Sequence, residues 1–108
     1  MNLDLTNKTA LVCGASQGLG LAVATELALM GANVIVASRN EDNLRAAIQN
    51  LDTSKGQQHD LLVMDLSNPE EVKQTVSDFL SKGNIIHILV NNAGGPPSGA
   101  RFSRLLHS

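Results

Sequence analysis

Four short apolar runs in this chain show no alternation of apolar with polar residues, and three amphipathic stretches separate them. The runs are Thr9–Cys13, Val34–Ala37, Leu61–Met64 and Ile85–Val90. A strand that reads as a continuous apolar run is covered on both faces, the usual condition of strands in a parallel sheet. Between the runs, Leu19, Ala22, Val23, Leu27 and Met30 recur at helical spacing. So do Leu44, Ala47, Ile48 and Leu51, and then Val72, Val76, Phe79 and Leu80. The resulting order, βαβαβαβ, predicts an α/β fold. Its parallel neighbours are joined by right-handed helical crossovers. Such a doubly wound sheet takes the strand order 3-2-1-4, with the first two helices on one face and the third on the other. The Ile85–Val90 strand then lies at an edge.

Local signals set the boundaries. Gly31 suits the C-cap of the first helix. Asn68, Pro69 and Glu71 read as N-cap, N1 and N3 of the third, a capping box with Asn in place of Ser or Thr. Gly83 closes that helix. Gly94 to Gly99 holds only Gly, Pro and Ser and is a loop. Residues 1–99 form one α/β unit in this pattern, and 100–108 an irregular basic tail.

Composition narrows the function. With 43% hydrophobic and 17% charged residues, the 108-residue chain is globular and at most one domain. A net charge of −2 gives no footprint for nucleic acid. No apolar run nears the roughly 18 residues that span a bilayer, so no membrane partner is expected. The first residues carry neither the basic nor the apolar segment of a secretory signal. The single cysteine, Cys13, forms no internal disulfide and suits a reducing, cytoplasmic setting, where it serves as a small packed hydrophobe. His87 interrupts an apolar run and reads as a satisfied core residue. His59 and His107 show no metal-like partnering, and no metal site is expected. Tyrosine is absent, which excludes a phenol as acid or base within these residues.

Gly14-Ala15-Ser16-Gln17-Gly18-Leu19-Gly20 lies between the first strand and the first helix. A phosphate site needs glycine there. The turn is tight, the backbone approaches the ligand, and the helix packs closely on the strand. The helix N-terminus then offers free N–H groups and a favourable dipole to a pyrophosphate. A ligand-free glycine turn is the alternative. Ser38 and Arg39 follow the second strand, about 20 residues on, where the ribose of a dinucleotide falls. A guanidinium suits a 2′-phosphate there, although Arg39 also reads as a solvated loop charge. Asp65-Leu66 and Asn91-Asn92-Ala93-Gly94 lie at further strand C-terminal ends, where open α/β sheets bind ligands. Asp65 reads equally as a helix cap, and Asn92 as a tie between loops.

Together, Cys13 to Gly20, Asp65-Leu66 and Asn91 to Gly94 resemble the nucleotide-binding half of short-chain dehydrogenase/reductases, a Rossmann-type fold. The likeness spans about residues 3–99. Asn91 to Gly99 is similar to members near the 3-oxoacyl-acyl-carrier-protein reductases. The resemblance implies that Gly14, Ser16, Gln17, Gly18, Leu19 and Gly20 hold a pyrophosphate, with Leu19 giving a backbone N–H. It implies that Arg39, beside Ser38, favours NADP over NAD, that Asp65 and Leu66 border the adenine, and that Asn91, Asn92, Ala93 and Gly94 line the ribose. Cys13 stands where the family usually has Thr, and Gln17 where many NADP-preferring members carry a base. The family's Tyr-x-x-x-Lys pair, Ser and helix Asn have no counterpart here, so no catalytic residue is assigned. The resulting expectation is the NADP(H)-binding portion of an oxidoreductase, inactive by itself, with a truncation or frameshift near Ala100. A nucleotide-binding or interaction module without activity, and a remnant without function, are the alternatives. An apolar sheet edge predicts self-association.

Overall fold

β1 (Thr9–Cys13), β2 (Asn33–Ser38), β3 (Asp60–Val63) and β4 (Ile88–Asn91) form one parallel sheet in the order β3-β2-β1-β4, as the apolar runs predict. The computed structural model describes residues 3–15 and 18–92. α1 (Gly18–Leu29), α2 (Glu41–Gln49) and α3 (Pro69–Ser81) connect the strands in turn. Leu11 aligns with Ile35 and Leu89, and Val12 with Val36 and Val90. Because successive side chains point to opposite faces, this register sorts the strands into two cores. Val12, Val34 and Val36 pack with Ala24, Ala28, Leu44 and Leu51 beneath α1 and α2. Leu11, Cys13, Ile35 and Ala37 pack with Met64, Val72 and Val76 beneath α3. Each large side chain buried in this way contributes about 1.5–3 kcal/mol.

Four local expectations change. α1 is apolar nearly all round, so spacing alone does not choose its inner face. The sheet takes the small stripe Gly20, Ala24 and Ala28, which allows close approach, while Leu19 is 68% exposed and Ala22 is exposed. The last strand begins at Ile88 rather than Ile85. His87 is exposed, not core: its N–H donates to the Thr9 carbonyl (2.8 Å), and its Nδ1 accepts the Thr9 N–H (3.0 Å). These bonds finish the ladder with β1 ahead of the strand proper. β3 is apolar but outermost, so Leu61 and Leu62 are half-buried and Val63 is exposed. Finally, Asn68 caps α3 by accepting the Glu71 N–H (3.3 Å), with Pro69 at the helix start. Glu71 does not return the bond as a capping box would. The Asn68 N–H is already given to the Asp65 carbonyl (3.0 Å), and the Glu71 carboxylate accepts the Asp65 N–H instead (2.9 Å).

The α2–β3 connection is held by polar bonds. Gln57, only 7% exposed, donates through Nε2 to the Ala28 carbonyl (2.7 Å) and accepts the Lys55 N–H (2.8 Å). His59 accepts the Val34 N–H at Nδ1 (3.0 Å), with Nε2 2.8 Å from the Asp52 carbonyl. The Nε2–H tautomer satisfies both contacts.

Candidate functional site

All four strands run the same way, so their C-terminal ends share one edge of the sheet, and every candidate segment within the described residues emerges there. Backbone bonds tie the segments together. The Gly14 N–H donates to Ala37 (2.8 Å), the Asn92 N–H to Cys13 (3.1 Å) and the Met64 N–H to Ser38 (2.9 Å). The first joins the glycine turn to the second strand, the next joins the Asn91-Asn92 end to the first, and the last joins the Asp65 approach to the Ser38–Arg39 end.

The glycines of the turn do different work. Gly14 and Gly18 have φ of 79° and 62°, in the left-handed region that L side chains disfavour. Among the described residues, a Cβ at Gly18 would meet nothing within 4 Å, so this backbone borders open space there. Gly20 is the opposite case. A Cβ there would fall on the Gly14 carbonyl, 2.8 Å from its carbon and 3.1 Å from the Ala15 Cα. Gly20 thus lets α1 close onto the end of β1, and Gly18 takes a left-handed conformation at the start of the helix. The helix brings no acidic residue in its first turn to oppose an anion.

At the end of β2, Ser38 is half-buried and its Oγ accepts the Asn40 N–H at 3.4 Å. The Arg39 side chain is 80% exposed, and its Nη1 lies 4.0 Å from Asp65 Oδ2. Asp65 Oδ1 accepts from the Ser67 N–H (3.0 Å) and Oγ (2.6 Å). The Ser67 hydroxyl and then its N–H hold the Asp65 carboxyl below the usual carboxylate range against desolvation, and the Arg39 guanidinium adds the smallest effect. Asp65 is therefore not the cap of α3, which is Asn68. Leu66 is half-buried against the α3-side core. Leu19 and Asn92 are exposed at this end, as is Asn91, which closes β4 opposite Cys13. Ser16, Gln17, Ala93 and Gly94 lie outside the described residues.

Ser67 and Glu71 fix Asp65; the sequence pattern places Glu71 only in the cap of α3 and gives Ser67 no role. The Asp65-x-Ser67 spacing, in which an Asx side chain bonds the backbone two residues on, is the signal that could have found Ser67. Cys13 lies beneath the turn, where burial pushes its thiol up to about 12. A separate cleft opens at the opposite end of the sheet, among Thr9, Asn33, Asp60, Phe79 and Ile85. The strand C-terminal edge remains the candidate, because open α/β sheets take ligands there. Among the described residues, no group of three or more His, Cys, Asp or Glu side chains could hold a metal ion, and no helix is long and apolar enough to cross a membrane.

Known proteins share this arrangement. A family described as short chain dehydrogenase matches residues 8–107. An uncharacterized oxidoreductase of Schizosaccharomyces pombe is 42% identical over 87% of the chain and 29% of its own length. A 3-oxoacyl-[acyl-carrier-protein] reductase of Chlamydia trachomatis is 40% identical over 83% of the chain and 36% of its own length. The chain thus spans about a third of the curated relatives it matches. Among solved structures, the L-sorbose reductase of Gluconobacter frateurii, complexed with NADPH and L-sorbose, superposes with a TM-score of 0.76 at 34% identity, over 88% of this chain and 36% of that one. A metagenomic short-chain oxidoreductase in complex with NADP gives 0.74 at 32% identity, over 84% and 40%. Since the family match runs from the residue before β1 through the whole described sheet, and the four-stranded order of that sheet is that of a Rossmann half, the chain belongs to the short-chain dehydrogenase/reductase family.

Proposed function

We propose that residues 1–99 are the NADP(H)-binding part of an oxidoreductase that interconverts a carbonyl and an alcohol, with 100–108 as a tail outside that unit. The observation that carries this reading is the close seat of the α1 N-terminus on the end of β1 at Gly20, with the left-handed Gly18 beside it. A cradle of that kind fits a pyrophosphate. Gly14, Ser16, Gln17, Gly18, Leu19 and Gly20 would hold it. Arg39, beside Ser38, would take the 2′-phosphate of NADP(H), Asp65 and Leu66 would border the adenine, and Asn91, Asn92, Ala93 and Gly94 the ribose. When bound, the dinucleotide supplies the hydride chemistry; this chain's residues bind and orient it. Two structural neighbours solved with NADPH and with NADP support the choice of cofactor.

The phenol and lysine of the family's chemistry are not assigned to any of these residues, none of which is tyrosine. The chain by itself is therefore proposed to bind dinucleotide without turnover. Titration of the purified chain with NADPH and NADH by calorimetry tests the reading. Saturable binding that favours NADPH supports it, and heats no larger than dilution for both would refute it. NADPH oxidation with ketones and aldehydes should not exceed the buffer rate.

A further inference from the structure

Arg39 and Asp65 stand at the ends of neighbouring strands, and their geometry couples two roles that the proposed site keeps apart. Asp65 is the fixed partner. Its Oδ1 accepts both donors of Ser67, its N–H donates to Glu71, and its side chain is only 33% exposed. The other oxygen, Oδ2, lies 4.0 Å from Nη1 of Arg39, whose side chain is 80% exposed. The cation is thus the more exposed member, and its partner is the more firmly held.

We propose that Asp65 sets the cofactor selectivity of this site through Arg39: its carboxylate competes for the guanidinium that a 2′-phosphate must engage. The inference rests on the reading of the edge as an NADP(H) site. A 2′-phosphate carries more charge than a carboxylate and matches the planar guanidinium fork, so it prevails. It prevails against an existing contact, however, and an exposed pair of this kind is worth about a two- to fivefold change in affinity. A cofactor without the 2′-phosphate makes no demand on Arg39 and meets no such competition. The carboxylate therefore lowers the preference for NADP(H) over NAD(H). Any role of Asp65 beside the adenine is common to both cofactors and cancels in their ratio.

The test is a set of calorimetric titrations of the full chain with NADPH and NADH. Asp65→Asn keeps the size of the side chain and an acceptor for Ser67 but removes the charge. The expected result is a rise of about two- to fivefold in the NADPH:NADH affinity ratio. In an Arg39→Ala background the same substitution should leave the ratio unchanged. Ser67→Ala, which loosens the carboxylate without removing it, should raise the ratio by less, and it serves should Asp65→Asn fail to fold by circular dichroism. An unchanged or lowered ratio in Asp65→Asn overturns the inference while NADPH binding by the unaltered chain leaves the site reading intact. A rise that persists without Arg39 also overturns it, because the carboxylate would then act on the phosphate directly. Failure of the unaltered chain to bind either cofactor removes the site reading and this inference together.

Discussion

The Gly14 carbonyl occupies the place where a side chain at Gly20 would begin: a Cβ on residue 20 would stand 2.8 Å from the Gly14 carbonyl carbon. The contact is backbone on backbone, so no rotamer relieves it. Gly20→Ala must push α1 off the end of β1, and overpacking of this kind costs about 1–3 kcal/mol. Helix propensity works the other way, favouring alanine by about 1 kcal/mol. A net loss of stability would therefore report the clash. Gly18→Ala meets open space, and its cost is conformational, about 1–2 kcal/mol for a left-handed residue. Urea unfolding of both variants checks this, with cofactor titration alongside. Gly20→Ala should lose both stability and NADPH binding. If it is as stable as the parent, α1 does not need this approach.

Arg39 gives the second prediction. Among the described residues its guanidinium pairs with Asp65 and is otherwise exposed, so truncation leaves no buried group there unpaired. Arg39→Ala should not shift the melting temperature measurably. A charge-assisted hydrogen bond to a phosphate is worth about 1.5–3 kcal/mol, and the exposure of Arg39 places the effect near the lower end, about tenfold in NADPH affinity. NADH affinity should be unchanged. Equal losses for the two cofactors would mean that Arg39 does not read the phosphate.

Much of this architecture is legible in the residues, and the exceptions share a cause. Strand order and the division of helices between faces follow from four apolar runs and from crossover handedness. The inner face of α1 does not, because a helix apolar on nearly every side carries no contrast to read. There the sheet selects Gly20, Ala24 and Ala28 for their smallness. His87 and the start of β4 are misplaced for a related reason: apolar character begins at Ile85, ahead of the strand that starts at Ile88. At the candidate site, the glycine spacing and Arg39 are visible as motifs. The hold of Ser67 and Glu71 on Asp65 depends on how the loop after β3 folds back on α3. Gln57 shows the same limit, since its partner Ala28 is 29 residues away.

Gln57 supplies the third prediction. Its amide links the end of α1 to the α2–β3 connection while almost wholly buried. Gln57→Leu keeps the bulk but leaves the Lys55 N–H without its acceptor and removes a donor to the Ala28 carbonyl. The expected loss is about 1–3 kcal/mol. A thermal melt followed by circular dichroism measures it, and an unchanged midpoint would show that water replaces both bonds at no cost.

Cys13 gives a pH prediction of definite sign. Burial pushes its thiol up to about 12 from an ordinary value of 9.0. Above that ordinary value the unfolded chain releases a proton that the folded chain keeps. Stability therefore falls as pH rises from 9.0 toward about 12. Cys13→Ala should flatten this part of the profile, although it leaves a small cavity. Denaturant midpoints across the alkaline range compare the two proteins. Iodoacetamide should label Cys13 only under unfolding conditions, and rapid labelling of the folded chain would contradict the burial.

The final prediction concerns self-association of the 108-residue chain. In the described sheet β3 and β4 are outermost, each paired on one side. Val63 on β3 is 43% exposed, Ile85 just before β4 is 64% exposed, and Ile88, Leu89 and Val90 are only half-buried. Outermost strands that expose apolar side chains pair readily with other chains. The chain should therefore elute from size-exclusion chromatography larger than its mass, increasingly so at higher concentration. Replacing Ile88 with lysine puts a charge on the outer strand, a device that blunts edges. It should move elution toward the monomer, at some cost in stability because Ile88 is half-buried. A monomer at all concentrations, with a sharp cooperative melt, would show that the β4 edge is covered within a single chain.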